Sequence, residues 1–210
     1  MDRIVVVGGG GHARALISVL KKTSWNVVGY TDPLDKGIIL GVARLGADSV
    51  LPQLLRTCDD GRAAIGVGKI DTSSKRLRLQ EELEAIGYEF PTIVSPTAVL
   101  NEEVTLGEGT VVLDVAAVGA GTAVGRGCIL NTNCTVEHDC RVGDDVHIAP
   151  GAVVSGGVTI GKGCLIGAGV TIIQGLTICE NCLIGAGAVV LRNVDSPGTY
   201  IGNPARRAKS

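Results

Sequence analysis

The chain has 210 residues, a formal net charge of −2, and very few aromatic side chains: one Trp, three Tyr and one Phe. A nearly neutral charge gives no electrostatic footprint for nucleic acid or a membrane surface, so neither is expected as a partner. No apolar stretch reaches the roughly 18 residues that a membrane-spanning helix needs, and the segment Met1–Val7 lacks the layout of a secretory signal, which predicts a cytoplasmic protein.

Residues 1–90 are predicted to form a small α/β domain of the Rossmann-like type. A strand, a glycine-rich turn, a helix and a second strand follow one another, which is typical of a parallel sheet with crossover helices. The predicted strands are Ile4–Val7, Asn26–Tyr30 and Ala63–Val67, and the predicted helices are Arg14–Lys22 and Thr72–Ile86. A link over Pro91–Pro96 leads into the second domain, residues 91–210.

The glycine-rich turn resembles a nucleotide-binding turn. Gly8, Gly10 and Ala13 meet the loose form of the dinucleotide fingerprint, and Asp32 follows the second strand at the position of a ribose-binding acid. Glycines let the backbone approach a phosphate, and the following helix N-terminus attracts anions. The domain is short for a complete dinucleotide fold, which favours a nucleotide-linked sugar over NAD. The alternative is that the glycines only form a tight turn from strand to helix.

The second domain carries a six-residue repeat. Seventeen aliphatic residues recur at every sixth position from Val94 to Val190, and glycine often follows them. Hexapeptide periodicity predicts a parallel β-helix in which three units close an 18-residue coil. The aliphatic residue of each unit then points inward and stacks on its equivalent about 4.8 Å away in the next coil.

Most cysteines follow the same repeat. The fourth position after the aliphatic residue is predicted to be a small inward slot, and a free cysteine suits it as a small buried hydrophobe. This slot holds Cys128, Cys134, Cys140, Cys164 and Cys182. A metal site is the alternative, but successive cysteines of the series fall on different faces of the coil, so no metal is expected.

Three segments together resemble a known family. They are the Gly-Gly-His-Ala turn with Asp32 after the second strand, the segment Leu130–Cys140, and the closing segment Tyr200–Arg206. The chain resembles the bacterial sugar O- and N-acetyltransferases of the sialic acid O-acetyltransferase-like group, which includes N-acetyltransferases of UDP-4-amino-6-deoxy-sugars. The resemblance covers essentially the whole chain. It implies a left-handed β-helix, acetyl-CoA as co-substrate and a homotrimer with CoA between neighbouring prisms.

The resemblance implies that His138 is the general base and that Asp139 raises its basicity. The chemistry agrees, because acetyl transfer to an amine needs a proton acceptor near pH 7, where histidine serves best. Successive strand residues point to opposite faces, so Asp139 reaches His138 only if the pair sits at a bend. The alternative is that His138 is a corner residue with a satisfied hydrogen bond.

Further positions are assigned by the resemblance. The substrate-binding candidates are Gly10, Gly11, His12, Asp32, Gly68 and Asn131. The cofactor-binding candidates are His147, Gly156, Ala168 and Ala186. The alternative for His147 is that it is a corner residue at the surface without a functional role. The alternative for Gly156, Ala168 and Ala186 is that small residues suit any β-helix. Lys69-Ile70-Asp71 departs from the Asn or Asp pair of many relatives, which leaves the base and the sugar open.

The predicted function is acetyl-CoA-dependent N-acetylation of a nucleotide-linked amino sugar in bacterial glycan biosynthesis. An O-acetyltransferase acting on sialic acid or another sugar is the first alternative, because the same histidine deprotonates a hydroxyl. A non-catalytic hexapeptide-repeat binding protein is the second alternative. The intact segment Glu137–Asp139 argues against it.

Overall fold

The chain folds into an α/β unit that leans against one side of a long parallel β-helix. The computed structural model describes residues 2–57 and 61–208. Within these residues, no helix has both the length and the apolar character required to cross a membrane.

The α/β unit contains a four-stranded parallel sheet. Its strands are β1 (Arg3–Val7), β2 (Asn26–Thr31), β3 (Arg44–Gly46) and β4 (Ala63–Ile65), in the order β3-β2-β1-β4. Its helices are α1 (Gly11–Leu20), α2 (Leu51–Thr57) and α3 (Lys75–Ala85), with a 3₁₀ turn at Asp48–Val50. This arrangement is the parallel α/β unit predicted from the sequence.

Both faces of the sheet are covered because β1 is apolar at every position from Ile4 to Val7. Ile4 and Val6 pack with α1 on one face, and Val5 and Val7 pack with residues of α2 and α3 on the other. A strand that is buried on both faces has this continuous apolar run.

The element ends differ from the predicted ones for local reasons. The glycine turn is shorter than expected, so α1 begins at Gly11 with Gly10 as its N-cap and ends at Leu20. Helix α3 begins at Lys75 because Asp71 accepts a hydrogen bond of 2.8 Å from the Ser73 N–H, which holds an Asx turn ahead of the helix. Strand β3 and helix α2 lie in a segment for which the sequence analysis predicts no element.

The β-helix has three walls, and each wall is a parallel sheet. Wall A contains Ile93–Val94, Val111–Val112, Ile129–Leu130, His147–Ile148, Leu165–Ile166, Cys182–Ile184, Gly198–Ile201 and the antiparallel Arg206–Arg207. Wall B contains Val99–Leu100, Ala117–Val118, Thr135–Val136, Val153–Val154, Thr171–Ile172 and Val189–Val190. Wall C contains Thr105–Leu106, Ala123–Val124, Arg141–Val142, Thr159–Ile160 and Thr177–Ile178. The chain runs from wall A to B to C, and paired strands between residues 93 and 190 are 18 residues apart, as in Ile129 with His147.

The predicted aliphatic ladder forms the interior of the prism. Every sixth residue from Val112 to Val190 is buried, with at most 4% of its surface exposed. Of the first three rungs, Val94 and Leu106 are only partly buried and Leu100 is exposed, because no coil precedes them. Burial of one Val or Ile side chain contributes about 1.5–3 kcal/mol relative to exposure, so the ladder is the main source of the prism's stability.

The cysteines behave as inward hydrophobes, as predicted. The five cysteines of the repeat slot are fully buried free thiols: Cys128, Cys134, Cys140, Cys164 and Cys182. Burial raises the pKa of the Cys128 and Cys134 thiols to about 12, so both remain protonated near neutral pH. A protonated thiol is neither a nucleophile nor a metal ligand.

Wall A is the side of the prism that the α/β unit covers. Ile93, Val111 and Leu113 share one buried cluster with α1 residues such as Leu16 and Ile17. Wall A is therefore buried where α1 packs. Toward the later coils it borders a cleft, and there His147 takes the place of an aliphatic residue on the outer face.

Candidate active site

His138 and Asp139 meet at a corner of the β-helix, between walls B and C. The backbone of Asp139 has a φ of 57°, which turns the chain so that adjacent side chains lie on the same side. His138 Nδ1 lies 2.9 Å from an Asp139 carboxylate oxygen. The bend that the sequence analysis required for this pair is therefore present.

The His138 ring is accessible and has a defined orientation. Its side chain is 64% exposed, and that of Asp139 is 72% exposed. The carboxylate accepts the hydrogen bond from Nδ1–H, which leaves the lone pair on Nε2. Nε2 lies over Gly156 in the next coil, at 2.5 Å from the point that a Cβ there would occupy. Gly156 is therefore the residue that makes room for the imidazole.

A cleft of about 650 Å³ separates the α/β unit from wall A. Its lining includes seven of the residues that the sequence analysis selected: Gly10, Gly11, His12, Asp32, Gly68, Asn131 and His147. Residues 66–70, which follow β4, form its side wall. Predictions made from two distant parts of the sequence thus converge on one concave site.

The glycine turn leaves the N-terminus of α1 open toward this cleft. Gly8 has a φ of 106°, and a Cβ there would lie 2.9 Å from Val67, so the turn requires glycine. The N-cap Gly10 makes no side-chain hydrogen bond, and the first turn of α1 has no acidic residue. Unpaired N–H groups and the helix dipole at this end favour an anion such as a phosphate.

Asp32 braces the glycine turn. Its carboxylate accepts hydrogen bonds from Gly9 N–H at 2.8 Å and from Leu34 N–H at 2.9 Å. Partial burial alone raises the pKa of Asp32, but the hydrogen bonds from Leu34 and Gly9 outweigh it and hold the pKa below its usual value. The carboxylate therefore stays ionised at the cleft, at the position predicted for a ribose contact.

His147 and Asn131 form a polar pair on the cleft floor. His147 Nδ1 lies 2.7 Å from the Lys69 carbonyl oxygen, and Nε2 lies 3.0 Å from Asn131 Nδ2. Burial lowers the pKa of His147, with the nearby Arg76 and Lys69 charges adding to it and the bond to the Lys69 carbonyl opposing it. A neutral ring that donates from Nδ1 and accepts at Nε2 satisfies both contacts.

His12 lies beside Gly68 under the glycine turn. A Cβ on Gly68 would lie 3.3 Å from the Cβ of His12. Burial lowers the pKa of His12 well below its usual value, and the positive charge of the nearby Arg76 lowers it further. His12 Nε2 is buried and has no hydrogen-bond partner among the described residues. The ring is therefore a neutral polar group on the cleft wall.

Three charged residues around the 66–70 loop were not predicted as functional. Lys69 and Asp145 form an ion pair of 2.8 Å with side chains that are 2% and 3% exposed. Arg76 Nη1 donates to the carbonyls of Ile65 and Val67, at 2.6 and 2.7 Å. One sequence signal for Asp145 exists: it occupies the corner slot that glycine fills one coil before and one coil after it.

Three of the four cofactor candidates lie on two different edges of the prism, and the fourth, His147, lies on wall A in the cleft. Gly156 adjoins His138 at the edge between walls B and C. Ala168 and Ala186 are exposed one coil apart at the edge between walls A and B, on the same edge as Asn131. Wall B thus separates His138 from the other cofactor candidates and from the cleft within one chain.

Among residues 2–57 and 61–208, no group of three or more His, Cys, Asp or Glu side chains is arranged to hold a metal ion.

Family models match both parts of the chain. Residues 3–83 match the PglD N-terminal domain, and residues 121–156 and 157–192 match the bacterial transferase hexapeptide repeats. A search of the curated proteins gave no significant match.

Solved structures resemble the chain over its whole length. PerB from Caulobacter crescentus, in complex with CoA and GDP-perosamine, is 32% identical with a TM-score of 0.92, covering 100% of this chain and 98% of that one. The acetyltransferase domain of PglB from Neisseria gonorrhoeae is 31% identical with a TM-score of 0.89, covering 99% and 100%. WeeI from Acinetobacter baumannii is 26% identical with a TM-score of 0.87, covering 99% and 100%.

The α/β unit followed by a left-handed parallel β-helix of hexapeptide repeats, as predicted from the sequence, defines a CoA-dependent acyltransferase. Within that class, the chain belongs to the family of sugar N-acetyltransferases that join a PglD-type N-terminal domain to hexapeptide repeats.

Proposed function

We propose that the chain transfers the acetyl group of acetyl-CoA to the amino group of a nucleotide-linked amino sugar, with His138 as the general base. The amine nitrogen attacks the thioester carbonyl and forms the amide bond, and the carbon–sulfur bond breaks. The amine proton passes to Nε2 of His138 and then to the departing CoA sulfur. The balanced products are an N-acetylated sugar and CoA.

The observation that carries this proposal is the His138–Asp139 corner. The carboxylate holds Nδ1–H at 2.9 Å, so the basic nitrogen points away from the corner and over Gly156. A 64% exposed histidine that is paired with a carboxylate has access to substrate and a fixed tautomer.

The cleft supports a nucleotide-linked substrate. The open N-terminus of α1 and the turn containing Gly10 and Gly11 suit a diphosphate, and Asp32 suits a ribose hydroxyl. His12, Gly68 and Asn131 then line the path from the phosphates toward the sugar. PerB, which shares the fold over its whole length, binds a nucleotide-linked amino sugar together with CoA. We assign the nucleotide to residues 1–90 and the acetyl transfer to residues 91–210.

The proposed CoA contacts are Gly156, Ala168 and Ala186, whereas His147 lies on the cleft floor beside Asn131 and is assigned to the nucleotide sugar there. Small residues on the prism edges let a pantetheine arm lie close to the coils. Because these residues occupy two edges of one chain, a homotrimer is the assembly that supports a complete site. In such an assembly, an edge of one prism faces the cleft side of its neighbour. The exposed apolar residues Val99 and Val153 on wall B suit such a contact.

A cytoplasmic location is also part of the proposal. Acetyl-CoA and nucleotide sugars are cytoplasmic metabolites in the biosynthesis of glycans, and all six cysteines in the described residues are free thiols. Free thiols are typical of a reducing compartment.

The test is a CoA-release assay on a panel of UDP-, GDP- and dTDP-linked amino sugars, with CMP-sialic acid and free sialic acid alongside. We expect release with at least one nucleotide-linked amino sugar, and mass spectrometry of the product should place the acetyl group on nitrogen. Release with sialic acid alone would identify an O-acetyltransferase instead. Acetyl-CoA binding without turnover on any acceptor would favour a binding protein.

A further inference from the structure

The 66–70 loop is anchored from three directions although it forms the exposed side wall of the cleft. Arg76 of α3 holds the carbonyls of Ile65 and Val67, His147 of wall A holds the carbonyl of Lys69, and Asp145 holds the Lys69 ammonium group. The Lys69 ammonium group also donates to the Ser73 carbonyl at 2.8 Å. Loops that line binding sites are usually the mobile part of a fold. The several anchors of this loop therefore indicate that its position matters to the cleft.

The ion pair at the centre of this arrangement is more deeply buried than the other ion pairs between the α/β unit and the prism. Lys22–Asp114 and Glu84–Arg126 also join the two parts in the described structure, but their side chains are between 27% and 43% exposed. Lys69 and Asp145 are almost completely buried. A buried pair pays a desolvation penalty that its attraction does not always offset, so it is weak evidence of a role in stability alone.

Asp145 takes the place of a corner glycine. Its φ of 52° lies in the left-handed region, where Gly127 and Gly163 stand one coil before and one coil after it. Asp is one of the few residues besides glycine that adopt this conformation readily, because its short polar side chain forms local hydrogen bonds. The side chain that replaces glycine here is the one that reaches Lys69.

The consequences of the pair extend to both sides of the cleft. Because the side chain of Lys69 points into the junction, Ile70 points outward on the cleft wall and is 88% exposed. The backbone carbonyl of Lys69 receives the Nδ1–H of His147, which leaves Nε2 of His147 to accept from Asn131. The position of Lys69 therefore sets an exposed apolar contact surface and the tautomer of a cleft histidine.

We propose that the buried Lys69–Asp145 ion pair is a positioning element of the nucleotide-sugar site, which fixes the 66–70 loop and the His147–Asn131 pair without touching substrate. This inference rests on the proposed function for its kinetic consequence. It also explains why this chain has Lys69-Ile70-Asp71 where many relatives have an Asn or Asp pair. The lysine side chain does not enter the cleft but pairs with Asp145, 76 residues further along the chain.

The test compares variants of the full-length protein. Lys69→Met alone leaves Asp145 buried and unpaired, and we expect it to unfold at lower urea concentration. Adding Asp145→Asn removes the second charge, keeps a residue that tolerates a positive φ, and should restore the unfolding midpoint. The matched control is Lys22→Met with Asp114→Asn, which removes a more exposed pair between the same two parts.

In the folded double variant K69M/D145N we expect the KM for the nucleotide sugar to rise about tenfold, while the KM for acetyl-CoA stays within about twofold, because the loop loses the position that binding requires. The control double variant should change neither constant. Equal rises in both KM values, or no rise in a folded K69M/D145N protein, would overturn the inference and leave the proposed function intact.

A second readout does not depend on activity. ¹⁵N NMR of the imidazole nitrogens should show His147 protonated at Nδ1 in the wild type and in the control, and a mixture of tautomers in K69M/D145N. An unchanged Nδ1–H tautomer in that variant would overturn the inference even if no amino sugar proved to be a substrate.

Discussion

At the residue scale, the site depends on the lack of a side chain at Gly156. Gly156 leaves the space that the imidazole of His138 occupies, and a Cβ there would lie 2.5 Å from Nε2. The corner before it, with Asp139 at a φ of 57°, sets the ring orientation. The base is therefore positioned by two successive coils, and a small change in either one should displace it.

Gly156→Ala should lower kcat by about 10²-fold, because the new methyl group displaces the imidazole and a shift of about 1 Å in a reacting group has a cost of this order. The change should leave thermal stability nearly unaffected, since the ring is exposed and free to move. The measurement is kcat together with the unfolding midpoint.

Gly151→Ala is the matched control for this prediction. Gly151 has a φ of 68° and no heavy atom within 4 Å of an added Cβ. It should therefore lower stability by roughly 1–2 kcal/mol through backbone strain and leave kcat intact. A Gly156→Ala enzyme with wild-type kcat would show that the ring position is not critical.

At the element scale, the junction between the α/β unit and wall A contains two histidines in an environment that disfavours charge. Burial lowers the pKa of both His12 and His147, and the Arg76 charge adds to both effects. In the unfolded chain both titrate near the ordinary value of about 6.5. As the pH falls below that value, the unfolded chain binds more protons than the folded one, so the free energy of unfolding decreases.

We therefore expect the free energy of unfolding to decrease as the pH falls below about 6.5, the ordinary pKa of histidine. Urea unfolding at pH 7 and pH 5 measures this change in the free energy of unfolding. His147→Gln should lose less stability than the wild type on acidification. An equal loss in both proteins would contradict neutral burial of His147.

The hexapeptide repeat makes the prism predictable from the sequence. The junction between the α/β unit and wall A is not predictable from such a local pattern. The ladder from Val112 to Val190 is buried because a period of six places each aliphatic residue inward, which is a local property of the sequence. The glycine turn and Asp32 were also found from local spacing. In contrast, Lys69 and Asp145 lie 76 residues apart, and only the packing of α3 and wall A brings them together.

The placement of His147 illustrates the same limit. Its spacing in the repeat predicts an outward position, but not that the Lys69 carbonyl covers Nδ1 and that Asn131 covers Nε2. The β3 and α2 elements also escaped prediction. They lie in a stretch without strong periodicity and are held by packing against the sheet, as Leu45 and Leu51 show.

At the scale of the whole molecule, the proposed contacts are divided between two edges of the prism. The cleft opens on wall A, and His138 lies at the far edge of wall B. We expect a homotrimer, because only contact between prisms brings one chain's cleft near another chain's His138. Sedimentation velocity should give three times the chain mass, and a fully active monomer would contradict this assembly.

The measurement that tests the central claim most directly is kcat of His138→Ala on the amino-sugar nucleotide that the panel identifies. As the general base, His138 should supply an acceleration of about 10²–10⁴-fold, so kcat should fall by that factor. Acetyl-CoA affinity and trimer assembly should remain at wild-type values, because the ring is exposed and its removal leaves the coil intact. A variant that keeps wild-type kcat would contradict the assignment and make His147 the next residue to test.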